Sequence, residues 1–285
     1  MPTPPSLARH AATRYVQPLR EGGSLPAVVD TDGGGLYVVK FRGAGQGAKA
    51  LVAELVVGLL AGVLGLPVPE LALVDLSPAF GRSEPDPEIQ DVLRGSHGVN
   101  VGLRYLDGAF NFDAAAAGDL ITPDFATRLV WFDAFVTNPD RTPRNPNLLV
   151  WRRSPWLIDH GGALYAQHDW GRVDEARSRT PFPRIRDHVL LGRAGDLAAV
   201  DPALAAALSL EVIAAVLAQL PDDLVLPPAR EGSGPPEFPS AEAARARYRD
   251  YLATRLRAPR DFVAEATRAQ AEARREPPRP LSARR

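Results

Sequence analysis

Apolar residues recur along this chain with two different periods, and the change of period divides it. In "RYVQPLREGGSLPAVVDTDGGGLYVVKF" they alternate with polar ones around Gly22-Gly23 and Asp32-Gly33-Gly34, which predicts two or three half-buried strands joined by glycine turns. From Ala48 to Leu64 the period lengthens. Leu51, Leu55, Leu59 and Val63 recur every fourth position, predicting a helix that Gly65 caps and Pro67 ends. "VPELALVDL" and "VNVGLRYL" read as further strands, with "SPAFGRSEPDPEIQD" as a loop between them.

A second region begins near Asp107. Thr122 as N-cap, Pro123 at the first helical position and Asp124 in the first turn predict a helix whose apolar face carries Phe125, Leu129, Phe132 and Val136, ended by Pro139. "NLLVW" and "PWLID" form a hairpin about Arg152-Arg153-Ser154. Beyond Asp169 helices are predicted at roughly 184–192, 202–219, 240–257 and 259–273. Residues 1–13 are Pro-rich and expected to be flexible, residues 227–239 form a Pro/Gly-rich linker, and 274–285 a disordered basic tail. The order predicts an α+β chain: a strand-rich first lobe over 14–106, a mostly helical second one over 107–273, and a seam near 103–108.

Composition narrows the functions. Apolar residues make up 45% of the 285, as in a globular chain. Lys plus Arg number 33 against 34 for Asp plus Glu, so no basic field points to nucleic acid. The absence of cysteine excludes disulfides, thiolate metal sites and a cysteine nucleophile. No apolar run has signal-peptide or membrane-span length, and the expected location is the cytoplasm.

Against this background a few polar residues stand out. Lys40 ends the strand "LYVVK". Alone it reads as a solvated strand-edge lysine, but only Lys40 and Lys49 are lysines in a chain that otherwise uses arginine. A compact ammonium beside a glycine-rich turn suits phosphate oxygens. Glu54 interrupts the apolar helix and needs either solvent or a cationic partner, which Lys40 can supply. Asp140 and Asn145 share the loop after a helix, and Asp159 ends a strand that folds back beside it. Each is also an ordinary turn former; converging, they make an oxygen-rich site for Mg²⁺ with a carboxylate left for a hydroxyl. Asp133 reads as a cap for the loop beneath its helix, and His160 as a neighbour of the metal aspartate. His97, His160 and His168 lack zinc-ligand spacing.

The order lysine on a strand, glutamate on the next helix, D-x-x-x-x-N after a helix and aspartate after a strand resembles the protein-kinase-like fold. The wording "NPDRTPRNPNLLV … LIDHGGAL", with "VAELVVGLLAGVLGLPVPEL" upstream, is similar to the HipA-like kinases over residues 14–220 or so. The resemblance implies a two-lobed kinase that moves the γ-phosphoryl group of ATP to a hydroxyl acceptor, a protein Ser or Thr in that family, with a small molecule or lipid headgroup left open. It implies that Lys40 holds the α- and β-phosphates, Glu54 holds Lys40, Asp140 is the catalytic aspartate, Asn145 and Asp159 ligate Mg²⁺, and Arg104, Tyr105 and Leu106 form the adenine hinge. Asn138 stands where ordinary protein kinases have histidine, and "DHGG" replaces Asp-Phe-Gly. Neither "DTDGGG" nor "GAGQG" matches G-x-G-x-x-G, so either can cover the phosphates. A nucleotide-binding module without transfer, or a scaffold that docks through its basic tail, are the competing readings.

Overall fold

The computed structural model describes residues 3–19, 25–45, 47–82, 84–114, 116–228 and 236–275. Five strands close on themselves: β1 (Ala8–Pro18), β2 (Ala27–Thr31), β3 (Leu36–Lys40), β4 (Leu71–Leu76) and β5 (Gly98–Arg104), in the order β1-β2-β3-β5-β4. Neighbours are antiparallel except that β1 runs parallel to β4, from Ala8 beside Ala72, and this pairing closes the ring. Period-two alternation sorts the side chains. Ala27, Val29, Tyr37, Val39, Ala72 and Val74 fill the inside, while Leu71, Leu73, Val101 and Leu103 face out and pack with α1 (Gly47–Val63). Lys40, two residues on from Val38 and paired with Val101, shares the outer face.

α1 is buried nearly all round, because the barrel covers one side and α6 (Leu210–Leu217) and α7 (Asp222–Val225) cover another. Tertiary packing, rather than a polar–apolar contrast along the helix, therefore holds it. It ends in a Schellman motif: Leu66 N–H donates to Ala61 O and Gly65 N–H to Gly62 O, with Gly65 at φ 67°, where a side chain would be strained. Polar ties run from this end of the molecule to the helical part. Arg42 donates to the Asp223 carboxylate and carbonyl, Lys49 to Gln167 O with Glu237 beside it, and Gln219 joins Leu7 and Pro5.

The remaining elements are α2 (Pro87–Arg94), α3 (Pro123–Phe135), α4 (Glu175–Ser178), α5 (Leu197–Ala207), α8 (Ala241–Leu256), α9 (Asp261–Arg275) and a small sheet of β6 (Phe110–Asn111), β7 (Leu148–Trp151) and β8 (Ser154–Leu157). The fold is mixed α+β. Among the described residues no single helix is long and apolar enough to cross a membrane.

Several expectations are corrected. The segment expected to be flexible to residue 13 becomes strand at Ala8, because β4 offers it a parallel edge and Arg9 clasps Asp75. The expected loop before β5 contains α2, started by Asp86 as N-cap and Pro87 behind it. The helix expected over 184–192 is two 3₁₀ turns, Pro183–Asp187 and Leu191–Arg193. That expected over 202–219 breaks at Leu208, where Ser209 caps α6. Arg274 and Arg275 belong to α9, not to a tail. Residues 229–235 of the expected linker, and the expected tail from 276, lie outside the described residues.

One buried cation ties α3 to the C-terminal helices. Arg255, on α8 and 3% exposed, donates to Ala134 O and Phe135 O at the end of α3, and to Ser178 O and Thr180 O. The last carbonyls of a helix lack partners in their own helix, and Arg255 supplies them. Arg255→Met keeps bulk but strips these bonds, and is expected to lower stability by about 3 kcal/mol. Urea unfolding read by circular dichroism checks this.

Candidate active site

β3 and α1 bring Lys40 and Glu54 together across the outer face of the barrel. Lys40 Nζ donates to Glu54 Oε2 at 2.7 Å and to Asp159 Oδ1 at 2.6 Å. Glu54 is fully buried and Asp159 half exposed. The second Glu54 partner is His160: its backbone N–H donates to Oε2 at 2.8 Å, and its Nδ1 lies 3.3 Å from Oε1. Two segments, β3 and the chain after β8, thus close on one carboxylate of α1. Burial by itself would raise the Glu54 carboxyl; the Lys40 ammonium, the hydrogen bond from His160 and its charge reverse this and hold it well below the usual carboxylate range. Burial likewise opposes the charged form of Lys40, yet Glu54 and Asp159 leave its pKa raised.

Asp159 follows β8 at φ 57°, a left-handed conformation that Asp tolerates. The turn after it brings Gly162 against Asp140, where a Cβ would lie 2.2 Å from Asp140 Oδ2. Any larger residue at 162 would have to push the Asp140 carboxylate from this position. Asp140 is partly buried, and its carboxyl is pushed up first by burial and then by the charge of Asp159, with Arg184, Lys40 and Arg141 pulling the other way. Two carboxylates therefore repel across this cleft. All the candidate donors are hard oxygens, and Asp159 keeps Oδ2 clear of Lys40, a donor set that suits Mg²⁺.

Asn145 is exposed, and its backbone closes a turn with Thr142; among the described residues no group of three or more His, Asp or Glu forms a metal cage. Arg104 ends β5, and Tyr105 and Leu106 follow it. The N–H of Arg104 donates to Glu70 O and that of Tyr105 to Leu36 O, the Arg104 guanidinium lies over the Tyr37 ring, and Leu106 is buried. A depression next to Lys40 is lined by Phe41, Ala44, Gly47, Ala50 and Gly161. The other glycine turn is occupied differently, since Gly33 abuts the His10 ring and Gly35 the Arg104 guanidinium.

Sequence reasoning missed one buried cluster. Asp133 on α3 meets Arg141, His188 and Asn138 beneath the Asp140 loop, all four nearly inaccessible. The signal available was a lone Asp among apolar helix positions; its partners, five to fifty-five residues away, were not readable from spacing.

The Glu54–Lys40 pair carries a pH signature. The depressed Glu54 pKa contributes stability that is complete above the ordinary carboxylate value of 4.5 and is lost as pH falls below it. The raised Lys40 pKa contributes stability that is complete below 10.5 and is lost as pH rises beyond it. Glu54→Gln leaves the buried ammonium with the half-exposed Asp159 as its one carboxylate partner and is expected to destabilise by about 3 kcal/mol. The gap to the unsubstituted protein should be level between those two pH values and narrow below the first, as read by urea unfolding at a series of pH values.

Known proteins resemble the chain in fold and in family. The crystal structure of the Helicobacter pylori proinflammatory kinase CtkA is similar to the chain with a TM-score of 0.53 and 12% identity, covering 95% of this chain and 100% of that one; the likeness is one of fold. No curated protein matches by sequence. Residues 13–175, more than half of the chain, match the family model of the HipA-like kinases. The chain belongs to the HipA-like kinase family.

Proposed function

We propose that the chain is a two-lobed, ATP- and Mg²⁺-dependent kinase that transfers the γ-phosphoryl group to a hydroxyl acceptor, in the first place a protein Ser or Thr. The observation that carries this reading is the Lys40 ammonium held between Glu54 and Asp159, with Asp140 close enough to feel the charge of Asp159. Residues 14–106 act as the nucleotide lobe and 107–273 as the second lobe, meeting near 103–108.

On ATP binding, Lys40 turns from Asp159 to the α- and β-phosphates while Glu54 keeps its hold. Three ammonium donors permit that exchange without losing the ion pair. Asp159, freed of Lys40, and the Asn145 amide oxygen would hold Mg²⁺, which supplies charge neutralisation on the phosphates when bound. A carboxyl raised by burial and by a neighbouring carboxylate is a better proton acceptor than an ordinary aspartate, so Asp140 orients the acceptor hydroxyl and takes its proton. Transfer then rests on positioning and electrostatics rather than on covalent chemistry by the protein. The turn after Lys40 covers the phosphates: Ala44 and Gly47 line the same depression as Lys40, whereas Gly33 and Gly35 are packed against side chains. The adenine contact falls to the chain at Leu106, because the N–H groups of Arg104 and Tyr105 are already bonded.

The test is transfer of ³²P from [γ-³²P]ATP to casein and to the chain itself, with and without Mg²⁺. Asp140→Asn, Asp159→Asn and Lys40→Arg are each expected to lower transfer about 100-fold or more, with Asp140→Asn leaving ATP affinity intact. Transfer by Asp140→Asn at the unsubstituted rate would overturn the assignment. ATP binding without transfer to any acceptor would favour a nucleotide-binding module instead.

A further inference from the structure

The buried cluster under the Asp140 loop has a geometry that the reaction as described does not use. Asp133 is completely buried, two residues before the last residue of α3. Its carboxylate accepts from three side chains: Asn138 Nδ2 at 3.0 Å on Oδ1, and Arg141 Nε at 2.5 Å and His188 Nε2 at 2.9 Å on Oδ2. His188 Nδ1 accepts from the Leu190 N–H, so its proton sits on Nε2 and the imidazole donates to Asp133 while neutral. Burial pushes the His188 pKa down, which keeps it in that form.

The partners of Asp133 bracket Asp140. Asn138 holds Asp133 with its amide nitrogen, and its amide oxygen accepts from the Asp140 N–H at 3.1 Å. Arg141, the next residue along, joins Asp133 to Asn147 O on the far side of the loop, and Val189 N–H donates to Arg141 O. The same Asp133 also accepts from the Asn138 backbone N–H through its own carbonyl. That bond forces Thr137 to φ 53°. A left-handed β-branched residue is unfavourable, and such a conformation persists only where its surroundings over-determine it. Helix ends of this shape use glycine. Here the strained cap stands next to Asn138 and three residues before Asp140, the residue whose position matters.

We infer that Asp133 is a positioning residue for phosphoryl transfer, setting the backbone of Asp140 through Asn138 on one side and Arg141 on the other. Asp133 touches no substrate; its effect is to fix where the Asp140 carboxylate points. The inference rests on the reading of Asp140 as the residue that orients the acceptor.

The experiment compares Asn138→Ala, Asp133→Asn, their double variant and Asp140→Asn, using ATP and Mg²⁺ with casein as acceptor. Asn138→Ala cuts the link without stranding a charge, and keeps the test alive if Asp133→Asn fails to fold. It is expected to lower kcat on the order of 10- to 100-fold, with the KM for ATP unchanged and the thermal midpoint lowered by about 2–8 °C for two lost buried hydrogen bonds. The double variant should fall no further than Asp133→Asn alone, because both act through one chain of contacts. Unchanged kcat in Asn138→Ala, alongside an inactive Asp140→Asn, would overturn the inference and leave the proposed function standing. Full activity in Asp140→Asn would instead overturn the proposed function, and the inference with it. A parallel loss of ATP binding in Asn138→Ala would mean general disorder of the site and would also overturn it.

Discussion

The ammonium of Lys40 sits where three separate stretches of chain meet, and most of the architecture can be understood as what is needed to keep it there. Removing a lysine and a glutamate from water is costly, and their attraction only roughly offsets the cost. Such a pair survives when the elements that carry it cannot move apart. β3 is gripped on both sides by ladder bonds to β2 and β5. α1 is enclosed between the barrel and α6 and α7, so Glu54 has no path to solvent. Asp159 and His160 then close the arrangement from the far side of the sequence. In a chain that uses arginine for nearly every cation, a lysine at this one position is consistent with the need for a small, rotatable donor.

The end of α3 follows the same logic by other means. Every carbonyl leaving that helix has a partner: Val136 N–H on Phe132, Asn138 N–H on Asp133, Arg255 on Ala134 and Phe135, and Leu164 N–H on Val136. Buried backbone acceptors demand this accounting. The donors come from the chain just past the helix, from α8 and from the loop after Asp159, and α8 lies outside the region that the family model matches. Asn145, by contrast, is exposed, and its backbone pairs with Thr142 in a local turn.

How far the sequence could be read differs from element to element. α1 was legible because four leucine-spaced positions, Gly65 and Pro67 agree, and its ends came within a residue or two. The strands around it were legible through alternation and glycine turns. α2 was not, although Asp86-Pro87-Glu88 is a helix start, because the surrounding Ser, Glu and Pro outweighed it. The segment 183–193 has apolar residues at helical spacing but Pro183 and Gly192 within it, and tight 3₁₀ turns packed against α9 won over a continuous helix. Of the site, Lys40, Glu54, Asp140 and Asp159 were singled out by residue type and order; Asp133 was noticed but not understood.

By itself the sequence determined what is local: the periodicities that make strands and helices, the caps, the turn residues, and the succession of chemical types that resembles a kinase. These follow from steric and hydrogen-bonding preferences over a few neighbouring residues. Tertiary structure alone decided which residues meet. No spacing rule joins Lys40 to Asp159 across 119 positions, or His188 to Asp133 across 55, because such contacts depend on how whole elements pack and on which buried charge has to be answered. The closing of β1 onto β4 was hidden for the same reason: a parallel edge exists only after the other four strands are in place.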